Sequence, residues 1–222
     1  MKRLPIRAGP LSPLHDCLMN YSLRFLSLAC LIAPGLAVRA GTLTVQVSDA
    51  AGQPLANAVV TAEVEGIPAS LAPRTAVIEQ RGQKFIPLVS VVQTGTTVSF
   101  PNNDKFKHHI YSFSPAKKFD QKLYSGVAAA PQVFDKAGVV VLGCNIHDRM
   151  VAYIKVVETP YFARTDAAGV ARLELPATGR ATVSVWHYNM SAPVPDQGVQ
   201  LKSAAPLAFR LSLKPPILDE AD

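Results

Sequence analysis

The sequence is poor in cysteine, with only Cys17, Cys30 and Cys144 in 222 residues. It is also poor in charge, at 17% of residues, and beyond residue 40 nothing in it reads as a long amphipathic helix. Each scarcity excludes something. Low charge beside 49% hydrophobic residues argues for a packed core and against disorder. The missing helical periodicity leaves strands as the building material. The formal charge is +6, but Lys2, Arg3, Arg7, Arg24 and Arg39 face Asp16 alone within residues 1–40. Without that segment 17 basic and 15 acidic residues remain. A body so near neutrality lacks the concentrated basic face that nucleic acid requires.

The basic N-terminus has the form of an export signal. Arg24 precedes an apolar run from Phe25 to Val38, and Val38-Arg39-Ala40 supplies a small-residue cleavage site. Pro34 and Gly35 interrupt the run, which is short for a bilayer span. The expectation is a signal peptide over residues 1–40, with Met19 as an alternative start, and a periplasmic mature chain without stable membrane insertion. Cleavage after Ala40 leaves Cys144 as the sole thiol. A lone thiol in an oxidising compartment has no internal disulfide partner. It is therefore buried and inert, bridged to another molecule, or held by a metal.

Short β-branched runs separated by Gly, Pro and Asx turns predict an all-β sandwich architecture. Thr42 to Val47 alternates and turns at Asp49-Ala50-Ala51-Gly52, and Ala58 to Val64 follows. Asp166-Ala167-Ala168-Gly169 repeats that turn before Val170 to Leu175, with further strands at Ala181 to Trp186 and Leu207 to Leu213. Between these flanks, strands are expected at 76–80, 88–92, 96–100, 110–113, 132–135, 138–142 and 152–157, with a loop from 114 to 126. The organisation predicted is a central β domain over residues 73–158. A second small sandwich is built from 41–72 and 159–213, and 214–222 forms a tail.

The chemistry-bearing segment is Cys144-Asn145-Ile146-His147-Asp148-Arg149-Met150, a C-x-x-H-x-x-M loop between two strands. Upstream stands Phe100-Pro101-Asn102-Asn103-Asp104-Lys105-Phe106-Lys107-His108-His109. One thiolate, two imidazoles and a thioether form the donor set that suits a mononuclear copper cycling between Cu(I) and Cu(II). The thiolate delocalises the electron, the imidazoles serve both oxidation states, and a weak axial Met leaves the cupric state less stabilised.

At these residues the sequence resembles the cupredoxin family. F-x-N-N-x-x-F-x-H is similar to the plastocyanin pattern and assigns the first ligand to His108 rather than His109. C-x-x-H-x-x-M has the short amicyanin spacing and carries over Cys144, His147 and Met150. Val141 to Asp148, with Trp186-His187, resembles cupredoxin-like proteins of the methylamine-utilization group. The resemblance covers about residues 83–157 and implies a cupredoxin Greek-key β-sandwich, a type 1 (blue) copper site and one-electron transfer with a transient protein partner. The chain departs from that pattern at His109, where Asn is usual, and an imidazole there either bonds Asn145 or competes for the metal. It departs again at Asp148 and Arg149, which replace prolines. The flanks, Val47 to Val60 and Thr165 to Leu173, resemble a transthyretin-like or carboxypeptidase-regulatory-like sandwich.

Three other functions compete. Copper oxidases and nitrite reductases set a His beside the copper Cys, whereas Gly143 and Asn145 stand here, and no H-x-H pair or nucleophile motif is present. A non-enzyme is therefore expected. A Cu(I) chaperone or store would use similar ligands, but only four Met occur, two of them before residue 41. A binding module using the sandwich alone is the third. Lys105, Lys107 and Arg149 border the metal end and favour an acidic partner, and His187 beside Trp186 is read as structural.

Overall fold

The computed structural model describes residues 40–68, 74–126 and 130–215. The export segment assigned to 1–40, with Met19, Cys17 and Cys30, therefore lies outside the described residues except for Ala40, as does most of the 214–222 tail. No helix among the described residues is long and apolar enough to cross a membrane.

Apart from one 3-10 turn at Leu201–Ser203, regular structure among the described residues is strand. β1 (Ala40–Asp49) and β2 (Val59–Val64) come first. The middle of the chain supplies β3 (Thr75–Val77), β4 (Glu79–Gln80), β5 (Phe85–Ile86), β6 (Val89–Gln93), β7 (Thr96–Ser99) and β8 (His108–Ser114). It continues with β9 (Lys117–Tyr124), β10 (Gln132–Phe134), β11 (Gly138–Gly143) and β12 (Val151–Val157). The last five are β13 (Tyr161–Arg164), β14 (Val170–Pro176), β15 (Arg180–Trp186), β16 (Gln197–Gln200) and β17 (Leu207–Leu211).

Two apolar cores organise these strands. A five-stranded sheet, β6-β12-β11-β8-β9, and a three-stranded one, β10-β7-β3, enclose Phe100, Ile110, Phe134, Leu142 and Ile154. Sheets β14-β1-β17 and β13-β2-β15-β16 enclose Leu43, Val45, Val47, Val60, Leu173 and Val183. Period-two burial drives both, because alternate side chains of a strand point to opposite faces. The paired Asx turns close the second core: Asp49 accepts the Gln53 N–H, and Asp166 accepts those of Ala168 and Val170. Gly169 at φ +73° is required there, since a Cβ would strike the Val47 carbonyl oxygen. Arg164 Nη1 of β13, donating to the Val89 carbonyl of β6 (2.5 Å), joins the two groups of sheets.

The all-β expectation holds, with three differences. The loop expected over 114–126 is instead β9, an edge strand whose run Lys117-Lys118-Phe119-Asp120-Gln121-Lys122 hides its alternation under charge. Such lysines guard an unpaired sheet edge against further strand addition. β13 and β16 were also not expected, and both are short edge strands without a fully buried residue. The strand read over 76–80 divides at Ile78, which turns into the core.

Candidate metal centre

β8 begins with His108 and β11 ends at Gly143, and the two strands pair where Gly143 faces Tyr111. That pairing brings Cys144, the next residue, beside His108. β11 and β12 form a hairpin closed by Gly143 opposite Val151, so residues 144–150 make its connection. Met150 N–H donates to the His147 carbonyl at 2.8 Å, which folds this loop back. Cys144 Sγ lies 3.9 Å from His108 Nδ1 and 4.0 Å from His147 Nδ1, and the three donor atoms all lie within 4.8 Å of one another. His108, Cys144 and Met150 are buried, while His147 is half-buried. Met150 shares the core cluster of Cys144. Among the described residues this is the one such His/Cys/carboxylate group.

The donors fit a single ion. Metal bonds of about 2.3 Å to sulfur and about 2.0 Å to nitrogen at 120° separate S from N by about 3.7 Å, close to the observed spacings. His108 is prepared for the role. Its Nε2–H donates to Asp104 Oδ2 at 2.8 Å, which leaves Nδ1 as the lone-pair nitrogen facing Cys144. Asp104 is in turn fixed by the Gly82 N–H (2.6 Å) and the Gln83 N–H (3.0 Å). Burial pushes the Asp104 pKa up, but the bonds from Gln83, His108 and Gly82 outweigh it and hold the carboxyl below its ordinary value. The loop bearing Asp104 is organised by buried Asn102. Its Oδ1 accepts the Asp104 N–H, and its Nδ2 donates to the Phe106 and Tyr124 carbonyls.

His109 is held away from the three donors. Its Nδ1 bonds Asn145 Oδ1 at 2.8 Å and its Nε2 bonds Asp120 Oδ1, so both ring nitrogens are engaged. The bond to Asn145 ties β8 to the loop that follows Cys144, which answers the departure seen at this position in the sequence. Asp104 and Asp120 were missed by sequence reasoning. An Asp four residues before a His ligand was the available signal for Asp104; Asp120 lay in the supposed loop.

The rim is mixed. Phe106 and Ile146 are each about half exposed, and the Phe106 ring centroid lies 6.3 Å from that of His147. Asp148 and Arg149 are exposed beside them. Behind the site the Tyr111 ring lies over Gly143, where an added Cβ would sit 2.7 Å from Cζ. Gly143→Ala should therefore lower stability by about 1–3 kcal/mol in urea unfolding, and the cost should largely vanish in a Tyr111→Ala background.

His187 is structural. It is buried, its Nδ1 accepts the Asn189 N–H at 3.2 Å, and its ring lies tilted against that of Tyr188, with centroids 4.4 Å apart. Burial lowers its pKa below the ordinary 6.5, against a smaller opposing effect of its bond to the Ala56 backbone. The unfolded chain therefore takes up this proton first on acidification. The His187 contribution is complete above about pH 6.5 and is lost as pH falls through the lower folded value. Urea midpoints compared at about pH 8 and about pH 5 should show a loss that His187→Gln reduces. A cleft of about 410 Å³ beside it, lined by Trp186, Lys155, Glu63 and Asp196, includes none of His108, Cys144 or His147.

No protein-family model matches the sequence, and no curated protein matches it. Among solved structures, parts of the chain are similar to cupredoxins. A purple cupredoxin from Nitrosopumilus maritimus is 23% identical, with a TM-score of 0.33 over 38% of this chain and 99% of that one. A reduced Cu(I) amicyanin variant is 19% identical, with a TM-score of 0.35 over 44% of this chain and 99% of that one. The copper-containing nitrite reductase NirK from Thermus scotoductus is 26% identical, with a TM-score of 0.37 over 43% of this chain and 25% of that one.

Proposed function

We propose that the chain is an exported type 1 copper protein that carries one electron between redox partners in the periplasm, without catalytic turnover of its own. His108, Cys144 and His147 would hold the ion, with the Met150 thioether as a fourth, weaker donor. The observation that carries this reading is the convergence of one thiol and two imidazole nitrogens, spaced at 3.9 and 4.0 Å, in a largely buried pocket. Soft sulfur with two imidazoles is the set that selects copper among the first-row ions. When bound, copper supplies a one-electron couple. The chain's residues do the rest: Asp104 orients His108, His109 holds the Cys144 loop through Asn145, and the packed core keeps the donors from rearranging. Half-buried His147 gives a partner its approach at the rim.

A Cu(I) chaperone or store is the second reading, and the half-exposed edge at His147 favours it. The burial of His108 and Cys144 favours a carrier, because exchange of the ion would require the loop to open. A structural zinc site would close its shell with a fourth N, S or O donor, and the fourth candidate here is the thioether of Met150.

The test is visible absorption and EPR of the purified chain titrated with Cu(II), beside Cys144→Ser. The expected result is an intense blue thiolate-to-copper band with narrow hyperfine splitting, both lost on substitution. A pale complex indifferent to Cys144 overturns the reading.

A further inference from the structure

The basic charge of the body is concentrated in one place. Residues 105–126 carry Lys105, Lys107, Lys117, Lys118 and Lys122 against Asp120 alone, whereas the rest of 41–222 holds twelve basic and fourteen acidic residues. Asp120 is occupied by His109, while Lys118 and Lys122 make no ion pair among the described residues. Among the described residues, the positive charge of Lys118 and Lys122 on this hairpin is therefore not offset by an ion pair.

The same hairpin carries a row of rings, of which Phe113 is exposed and His109 and Tyr111 are half-buried. His109, Tyr111 and Phe113 alternate along β8 onto its outward face, with ring centroids 5.8 and 5.2 Å apart. Phe113 is 76% exposed and sits directly across from Lys118 on β9, while Val141 on β11 is 41% exposed. An exposed apolar patch rimmed by charge marks an interaction site rather than an ordinary outer sheet face. Its inner end touches the metal centre from the side, because the Tyr111 ring covers Gly143, the residue before Cys144.

We propose that the outer face of β8 and β9 is a docking surface for an acidic protein, with Phe113 and Tyr111 making the apolar contact and Lys118 and Lys122 the charge complement. Lysines at the rim steer an acidic partner and set its salt dependence, and the rings provide the short-range contact that charge alone does not. On the copper reading that partner is a redox protein, engaged at a face distinct from the His147 rim. The surface itself requires no metal.

The test is an NMR titration of the isotope-labelled, metal-free chain with a synthetic peptide of alternating glutamate and phenylalanine. The expected result is a set of amide shifts centred on Phe113, Lys118 and Lys122 that weakens as salt rises. Lys118→Glu with Lys122→Glu should weaken binding by about tenfold, and Phe113→Ser should weaken it without altering the spectrum of the core. Shifts centred elsewhere, no binding, or an affinity indifferent to these substitutions overturns the proposal. Cys144→Ser should leave this titration unchanged, so failure of the copper reading and failure of the docking surface are separately visible.

Discussion

Asp104→Asn should lower copper affinity by about 10–100-fold and raise the reduction potential. Asp104 accepts the Nε2–H of His108 at 2.8 Å, and that bond selects the tautomer with Nδ1 free toward Cys144. A carboxylate does more than orient, because its negative charge stabilises the more positive state of the ion. If the loss falls on the cupric state, 59 mV per tenfold for one electron gives a rise of about 60–120 mV. Asparagine keeps the shape and one acceptor oxygen but removes the charge.

The same carboxylate also accepts the Gly82 and Gln83 N–H groups, so the variant loses about 1–3 kcal/mol of folding stability as well. Potential separates the two effects. A purely structural Asp104 would lower the urea midpoint and leave the potential of the folded, loaded protein unmoved. Equilibrium competition with a chelator and voltammetry, run beside urea unfolding of the metal-free variant, distinguish these outcomes.

How far the sequence disclosed this site depends on the kind of information involved. Cys144, His147 and Met150 share one loop, so their spacing was legible without any fold. His108 required the motif that precedes it, and the structure brings it, rather than His109, to Cys144. Asp104 and Asp120 were invisible because their roles depend on which atoms face one another across different segments, and carboxylates are common on surfaces. The strands with clear alternation, such as β1, β14 and β15, were read directly. β9 was not, since an edge strand carrying Lys118 and Lys122 outward resembles a solvated loop until its pairing with β8 is known. The exposed Phe113 was likewise read only as a strand residue, because a one-dimensional pattern does not say which alternate face is covered.

Phe100→Ala should cost about 3–5 kcal/mol of folding stability, a large share of the roughly 5–15 kcal/mol that holds a typical domain. Phe100 is fully buried and follows β7, stacking on Phe119 of β9 at 5.8 Å; Phe119 in turn meets Phe134 of β10 edge-on at 6.4 Å. These rings join the two sheets of the core that contains Cys144 and Met150. The Phe100 carbonyl accepts the Tyr124 hydroxyl at 2.6 Å and Gln80 Nε2 at 3.2 Å, immediately before the Asn102 loop that carries Asp104. Truncation therefore removes a core ring and loosens the segment that presents His108. The expected result in urea is a lower midpoint with a nearly unchanged slope, together with weaker copper binding. Phe113→Ala on the exposed face of β8 removes the same ring and should change stability by no more than about 0.5 kcal/mol. Equal losses at the two positions would mean that the core is not where these contacts place it, and that the loop before His108 is held by something other than the packing of Phe100.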